Sequence, residues 1–266
     1  MRPLPDKNLV LKKIQDKKRK FVLRNTVINE LSFLEYPQHR TAVYTISEAI
    51  DPDYVVIYTY GGYYPHFFHE TEHNEIEELG MGQFTWEWIG HWLEQKVAMV
   101  IVDMPDYYQH SMFVPSLYRF SNDRKREIKQ VVDLVKDRFP GSKLAWTGFS
   151  FGCAEATTIS LEETQLDKIV LCSGTWHTLD GFDEWHQGAR LNWYNVADCK
   201  KPVLIVQHEK EKFEKATEQM KLTDSITVAN MEVSMDDGHF FKNREKEVAT
   251  SIINWLRNKD YPQEIL

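Results

Sequence analysis

The sequence is poor in the features that mark three large classes of protein. Its 3 cysteines in 266 residues are too few, and odd in number, for a disulfide framework. No apolar stretch is long enough to span a membrane, and the charged N-terminal residues lack the apolar core of a signal peptide. The net charge of −8 argues against a nucleic-acid-binding protein, whose surface is normally basic. We therefore expect a cytoplasmic protein without membrane or nucleic-acid partners.

Linkers, internal repeats and low-complexity segments are also absent from the sequence. Hydrophobic residues make up 42% of the chain and charged residues 27%, as in ordinary globular proteins. The length allows one α/β domain or two smaller ones, and the lack of a linker favours a single domain over residues 1–266. Two of the cysteines, Cys153 and Cys172, stand in apolar surroundings and are predicted to be buried. The basic run at residues 17–20 is interpreted as a solvated segment.

Strand-like and helix-like segments alternate along most of the chain. The strands predicted from apolar and β-branched runs are residues 54–60, 97–102, 167–173, 202–207 and 226–235. The helices predicted from bulky side chains at three- and four-residue spacing are residues 83–96, 124–139 and 244–258. Residues 21–36 and 40–46 are expected to pair as a hairpin, so that residues 1–50 supply N-terminal strands. The alternation predicts an α/β fold, with a mostly parallel central sheet covered by helices on both faces in three layers.

Residues 144–161, LAWTGFSFGCAEATTISL, contain the most informative motif of the chain. A short apolar strand leads into GFSFG, and a helix rich in Ala and Thr follows. In this strand–turn–helix context a G-x-S-x-G motif lifts its serine, here Ser150, above the end of the sheet. Gly148 and Gly152 are predicted to let the strand and the helix approach closely, because a Cβ at either position would collide. The alternative is a glycine-rich turn in which Ser150 is a bystander.

Polar residues follow two later strands, at the edge of the sheet where α/β proteins place their reactive groups. His208, Glu209 and Glu211 come after the next-to-last predicted strand, and His239 comes after the last one. A serine hydroxyl needs a base to accept its proton, and a histidine base needs an acceptor on its other nitrogen. Ser150, one of these acids and His239 would meet both needs, and they follow one another in the chain order described for G-x-S-x-G hydrolases. Considered alone, His239 would be a turn residue satisfied by backbone groups.

The chain resembles the α/β-hydrolase fold superfamily, and the resemblance covers nearly its whole length. The motifs that carry it are GFSFG with the preceding helix VVDLVKDRF, the segment VLIVQHEKEKF, the late DGHFF, and the earlier YTYGG and VAMVIVDMPDYYQHS. The resemblance implies a serine esterase with Ser150 as nucleophile and His239 as general base, later general acid. It also implies catalysis without a metal or organic cofactor. The connection at residues 174–201 is too short for a large lid, so a small cap-like region or none is expected.

The triad acid is expected a few positions beyond the next-to-last strand. Aligned on VLIVQHEKEKF, Glu211 takes the position at which the family usually has Asp, and a glutamate reaches further from a displaced backbone. Glu209 is the alternative acid. Asp236 and Asp237 are a third option, although residues so close to His239 in sequence are more often turn formers. A fallback set of acids follows a different strand: Asp180, Asp183 and Glu184.

The oxyanion hole is expected to combine two backbone N–H groups. One is that of Phe151, which the elbow leaves free at a helix N-terminus. The other belongs to the loop that follows YTYGG, where the family often has His-Gly and this chain has Tyr60 and Gly61. Either Gly62 or Tyr63 supplies this second donor.

The loops near this edge are rich in aromatic residues and, after the first buried strand, in acids. The aromatic rings predict either an acyl or alcohol pocket or simple packing of the long loops onto the domain. The connection at residues 63–82 also contains His69 and His73, which would share a face and could hold a metal if that segment were helical. A solvated acidic loop with no metal is the favoured interpretation.

We expect a carboxylesterase-like serine hydrolase that cleaves a small-molecule ester or related acyl bond through an acyl-enzyme on Ser150. The same triad on this fold also serves peptidases, thioesterases, lyases and acyltransferases, since a fold does not dictate its chemistry. A non-catalytic ligand-binding protein is the alternative from another class, and the missing Asp and missing His-Gly keep it open. The sequence leaves open the natural substrate, the acyl length and the oligomeric state.

Overall fold

The computed structural model describes segments that together contain a central sheet and its main helices. The described residues are 17–23, 26–36, 39–46, 51–60, 68–70, 76–78, 88, 90–103, 122–150, 152–153, 155–156, 165–173, 201–209, 224–228 and 238–265. The strands are β1 (Lys17–Leu23), β2 (Thr26–Tyr36), β3 (His39–Ile46), β4 (Tyr54–Thr59), β5 (Phe68–Glu70), β6 (Ile76–Glu78), β7 (Val97–Val102), β8 (Lys143–Phe149), β9 (Lys168–Cys172), β10 (Val203–His208), β11 (Asp224–Val228) and β12 (Glu264–Ile265). The long helices described are α1 (Asn122–Arg138) and α2 (Glu245–Leu256). Residues 90–94 are also helical, as are residues 152–153 and 155–156, which we name the elbow helix.

One sheet of ten strands organises the described part of the chain, in the order β1-β2-β3-β7-β4-β8-β9-β10-β11-β12. The strands from β7 to β12 in this order run parallel to their neighbours. Strand β3 lies antiparallel to β7, and β1, β2 and β3 form an antiparallel meander. The predicted N-terminal hairpin and the predicted mostly parallel sheet are therefore confirmed. The carboxyl ends of the parallel strands meet at one edge, which we name the carboxyl edge.

Side chains on the two faces of the sheet pack into separate hydrophobic cores. In β4, Val56 and Tyr58 face one core and Val55 and Ile57 face the other, as the two-residue period of a strand requires. Helix α2 and the helical segment at residues 90–94 cover the first core. Helix α1 and the elbow helix cover the second. The predicted three-layer arrangement is thereby confirmed.

The helices bury the faces that their residue spacing predicts. The buried residues of these faces are Ile128, Val131, Val132 and Val135 in α1 and Val248, Ile252 and Leu256 in α2. Cys153 and Cys172 are fully buried, as predicted, whereas Cys199 lies outside the described residues. Of the helices described, none is long and apolar enough to pass through a lipid bilayer.

The connection after β4 contains a small hairpin that its sequence did not predict. Phe68–Glu70 and Ile76–Glu78 pair as a separate antiparallel sheet of two strands. His69 lies opposite Glu77 in this pairing. His69 is therefore in a strand, and the helix that would bring His69 and His73 to one face is not formed at His69. Cross-strand backbone hydrogen bonds replace the bonds between successive turns that a helix would form. His73 lies outside the described residues.

The structure adds detail to two segments near the edges of the sheet. Residues 17–20, interpreted only as solvated, form the first part of β1 and pair with β2. The last predicted strand, residues 226–235, begins earlier, since β11 pairs with β10 from Asp224 onward and is described only to Val228. Residues 229–237 lie outside the described residues.

A bidentate ion pair joins the end of α2 to the turn before β4. The Arg257 Nε and Nη2 groups donate to the two Asp53 carboxylate oxygens at 2.6 and 2.9 Å, and Arg257 also donates to the Gln95 carbonyl. Partial burial pushes the pKa of Asp53 upward, but the hydrogen bond and charge of Arg257 outweigh this effect and hold the pKa below its ordinary value. The pair therefore stabilises the fold while Asp53 is ionised.

We predict that Asp53→Asn destabilises the protein near neutral pH and not in strong acid. A carboxylate whose pKa is depressed by folding adds stability above its unfolded pKa of about 3.9, and this stability is lost as the pH falls through the folded pKa. Because the Asp53 side chain is half exposed, the loss at pH 7 should be only about 0.5–1 kcal/mol. Urea unfolding from pH 7 to pH 2 measures it, with the exposed Asp51→Asn as control. An equal loss at every pH would contradict the role of the charge.

Candidate active site

Ser150 occupies a sharp turn at the carboxyl end of β8. Its φ of 52° lies in the left-handed region, which residues other than glycine rarely adopt. The Ser150 N–H donates to the Cys172 carbonyl at 2.9 Å, so the neighbouring strand β9 holds the turn. The Ser150 carbonyl accepts the Cys153 N–H at 3.0 Å, which begins the elbow helix. Ser150 is partly exposed, unlike the six buried strand residues before it, and a strained turn of this kind is what the GFSFG motif predicts.

The elbow helix begins directly against the backbone of β4. A Cβ on Gly152 would collide with the Thr59 carbonyl group, 2.8 Å from its carbon, and would lie 3.1 Å from the Tyr60 oxygen. A Cβ on Gly148 would lie 2.6 Å from the Cys153 Cα and 2.7 Å from its nitrogen. Real Cβ atoms essentially never approach other atoms to below 3.0 Å. Both glycines therefore permit the close approach that the sequence predicts.

Buried side chains below the elbow hold it in place against the strands. The Thr59 hydroxyl donates to the Gly152 carbonyl at 3.2 Å and accepts a hydrogen bond from Trp146 Nε1 at 3.0 Å. The Cys153 thiol lies 3.2 and 3.3 Å from backbone carbonyl oxygens at the ends of β8 and β9. Burial raises the pKa of the Cys172 thiol well above its ordinary value. A buried thiol of raised pKa is a poor nucleophile, so Cys172 is structural.

His239 lies in a short helical turn and packs against the residue that precedes the elbow serine. It is 6% exposed, and its ring centroid lies 5.2 Å from that of Phe149. The Phe240 ring is also 5.2 Å from the His239 ring and stacks on Phe149 at 5.8 Å. Phe149 directly precedes Ser150, so His239 packs at the carboxyl edge against the end of the strand that leads into the elbow.

His208, at the end of β10, supports the backbone that leads into His239. A Cβ on Gly238 would lie 2.9 Å from the His208 Nδ1 and 3.0 Å from its Cγ, so Gly238 packs directly on the imidazole ring. His208 is 2% exposed. In the sequence it is recognisable only as a polar residue that follows a strand, because nothing in the neighbouring residues signals its burial.

Several predicted site residues fall where the structure gives no description. Those outside the described residues are Phe151, Gly62, Tyr63, Glu211, Asp236 and Asp237. Glu209, the alternative acid, directly follows β10 and is exposed to solvent. A triad acid acts from a buried position, where solvent does not screen its charge. The exposure of Glu209 therefore lends it no support, and the acid and the oxyanion donors stay predictions.

A buried ion-pair cluster beneath the same edge was not predicted from the sequence. The Arg124 guanidinium, at the start of α1, donates to Glu155 of the elbow helix at 2.7 Å, and both residues are fully buried. The Tyr60 hydroxyl, just after β4, donates to the Asp103 carboxylate, just after β7, at 3.2 Å. Charged residues are usually exposed, so charges within an amphipathic helix carry no sequence signal of burial.

Comparison with known proteins identifies the fold through structure alone. No protein-family model and no curated protein sequence matches this chain. The structure is similar to that of a dienelactone hydrolase from Anabaena variabilis, with a TM-score of 0.60 and 10% identity over 91% of this chain and 98% of that one. The chain has the α/β-hydrolase fold.

Two further structures with the α/β-hydrolase fold resemble this chain to a similar degree. A thermostable carboxyl esterase from Bacillus coagulans is similar over 87% of this chain and 98% of its own, with a TM-score of 0.58 and 10% identity. An acylaminoacyl peptidase from Pyrococcus horikoshii is similar over 92% of this chain but only 42% of its own, with a TM-score of 0.61 and 12% identity. At these identities the likeness establishes a shared α/β-hydrolase fold and no more.

We predict that Gly152→Ala destabilises the protein, because the new Cβ would collide with the backbone of β4. Overpacking of this kind costs about 1–3 kcal/mol. The matched control is Gly141→Ala, at a turn where a Cβ would meet no atom within 4 Å. Urea unfolding of wild type and both variants measures the difference. Equal stability of the two variants would contradict the close contact between the elbow helix and β4.

Proposed function

We propose that the protein is a serine hydrolase that cleaves a carboxylic ester through an acyl-enzyme on Ser150. The observation that carries the proposal is the packing of His239 against Phe149, the residue before Ser150, with 5.2 Å between the ring centroids. The left-handed φ of Ser150 supports the same conclusion, since strained backbone concentrates at active sites. A histidine base close to a strained serine fits nucleophilic catalysis better than ligand binding alone.

In the proposed reaction, His239 accepts the Ser150 hydroxyl proton as the serine oxygen attacks the acyl carbon. The N–H groups of Phe151 and of Gly62 or Tyr63 stabilise the tetrahedral oxyanion. His239 then donates the proton to the leaving alcohol, and the acyl-enzyme forms. A water molecule, deprotonated by His239, attacks the acyl-enzyme, releases the carboxylic acid and restores Ser150. The reaction needs no metal or organic cofactor.

Ester cleavage is proposed ahead of amide cleavage because two of the similar structures are a dienelactone hydrolase and a carboxyl esterase. Cleavage of an acyl-amide bond is the second candidate, supported by the similarity to the acylaminoacyl peptidase. The same residues serve both reactions, since each passes through an acyl-serine. Turnover of a panel of short esters, thioesters and acyl-peptides at fixed enzyme concentration separates the two.

We predict that a fluorophosphonate forms a single adduct with wild type and none with Ser150→Ala, because only an activated serine reacts. Mass spectrometry of the intact proteins measures the adduct. Ser150→Ala should also lose hydrolysis of short p-nitrophenyl esters while its circular dichroism spectrum stays unchanged. The matched control is Ser173→Ala. Ser173 directly follows the neighbouring strand β9 with a φ of 46° but is fully buried, so the adduct should persist.

A folded wild type that takes no adduct would overturn the proposal and favour a non-catalytic ligand-binding protein. An adduct that survives in Ser150→Ala would place the reactive group on another residue. In that case peptide mapping of the labelled site would identify the residue that replaces Ser150 as the nucleophile.

We predict that Glu211→Gln lowers kcat/KM by about 1,000- to 10,000-fold, because loss of the triad carboxylate leaves the imidazolium of His239 unsupported. Glu209→Gln, two positions earlier and exposed, is the matched control and should leave kcat/KM close to the wild-type value. Hydrolysis of a short p-nitrophenyl ester at pH 8 measures both variants. The reverse pattern would assign the role of acid to Glu209.

A further inference from the structure

Buried polar side chains form a connected group below the carboxyl edge, which we name the Arg124 cluster. Its members Asp103, Arg124, Glu127 and Glu155 are fully buried, and Tyr60 is 3% exposed. They come from four separate parts of the chain: the end of β4, the end of β7, the start of α1 and the elbow helix. Charged side chains are almost never fully buried unless they are paired, so this cluster is a specific arrangement.

The Arg124 guanidinium is the centre of the cluster. Its Nε donates to the Glu155 carboxylate at 2.7 Å, and its Nη1 donates to the Asp103 carbonyl at 2.9 Å and to the Glu127 carboxylate. The Tyr60 hydroxyl donates to the Asp103 carboxylate at 3.2 Å. A continuous path of bonds therefore runs from Tyr60 through Asp103 and Arg124 to Glu155.

The two ends of this path belong to chain segments that adjoin the elbow at Ser150. Glu155 is in the elbow helix, which begins at the Ser150 carbonyl. Tyr60 directly follows β4 and precedes the predicted oxyanion loop, and its carbonyl oxygen lies next to Gly152. The Arg124 cluster thus joins the same two segments, the end of β4 and the elbow helix, that also meet at Gly152.

Stability alone is a weak explanation for the Arg124 cluster. Burial of an ion pair carries a desolvation penalty, and apolar side chains of similar volume often stabilise a core equally well. The exposed pair between Lys129 and Asp133 on the same helix, at 3.3 Å, is an ion pair that avoids this penalty. The buried hydrogen bonds of the cluster are directional. They therefore fix the relative position of the elements they join, whereas apolar packing would allow these elements to slide.

We propose that Arg124 and Glu155 are positioning residues for the reaction at Ser150, a role that rests on the proposed function. The Arg124–Glu155 bond holds the elbow helix, and the Tyr60–Asp103 bond holds the end of β4. Together they set the separation of the two backbone segments that carry the predicted oxyanion donors. A misplacement of about 1 Å at a reacting centre lowers the rate by about 100-fold. The Arg124 cluster therefore acts on the transition state more than on substrate binding.

The decisive variant is Glu155→Ala, which removes the bond between the elbow helix and Arg124. We predict that it lowers kcat by about 10- to 100-fold and leaves KM within about threefold of wild type. Glu155→Gln keeps an oxygen acceptor for the Arg124 Nε and should recover most of kcat. Lys129→Gln, which breaks the exposed pair on α1, is the matched control and should match wild type.

The measurement is the steady-state hydrolysis of a short p-nitrophenyl ester. Rates are divided by the number of active sites that a fluorophosphonate labels, at a temperature where circular dichroism shows each variant to be folded. Thermal unfolding is recorded in parallel, so that an effect on stability is separated from an effect on kcat.

A Glu155→Ala protein that unfolds at a lower temperature but keeps the wild-type kcat per labelled site would overturn the proposal. If Glu155→Ala does not fold, Tyr60→Phe, which removes one hydroxyl, takes its place, and an unchanged kcat there would overturn it equally. Failure of the proposed function looks different, because wild type itself would neither label nor hydrolyse the ester. That result removes both proposals, whereas an active wild type with an unaffected Glu155→Ala removes this one alone.

Discussion

The contact between Gly152 and the end of β4 is the constraint on which the rest of the candidate site depends. Because Gly152 has no Cβ, the start of the elbow helix lies against the carbonyl of Thr59. The Thr59 hydroxyl also donates a hydrogen bond to the Gly152 carbonyl. A chain that leaves β8 and reaches this contact must turn sharply, and Ser150 takes up the turn with a left-handed φ. The strain at Ser150 is thus a consequence of how closely a helix and a strand pack.

Four different interactions support the elbow. Strand β9 accepts the Ser150 N–H, β4 is joined through Thr59, and α1 is joined through the buried bond from Arg124 to Glu155. The fourth support is the ring of His239, which packs on Phe149 at the end of β8. A strained turn persists only where its surroundings hold it firmly, and this combination of backbone, hydroxyl, ionic and ring contacts meets that requirement.

Most of the central fold could be predicted from local patterns. YVVIYT and VAMVIV became β4 and β7 because a strand buried on both faces needs a continuous apolar run, and α1 followed from the spacing of its valines. The hairpin of β5 and β6 could not be predicted, since FHE and IEE have no apolar run and each becomes a strand only through pairing with the other. The candidate site also contains features that the sequence predicted and features that it did not. GFSFG predicted the turn at Ser150, whereas nothing in the sequence predicted the burial of Arg124.

The sequence by itself determined the alternation of strands and helices, the sharp turn at Ser150 and the need for glycine on both sides of it. These features depend on the shape of a residue and on neighbours a few positions away. Only the tertiary structure decided that His239 packs on Phe149, that His208 supports Gly238, and that Arg124 and Glu155 are buried together. Such contacts join residues far apart in the chain. Their free energy depends on desolvation and on the geometry of several elements at once, which no local pattern encodes.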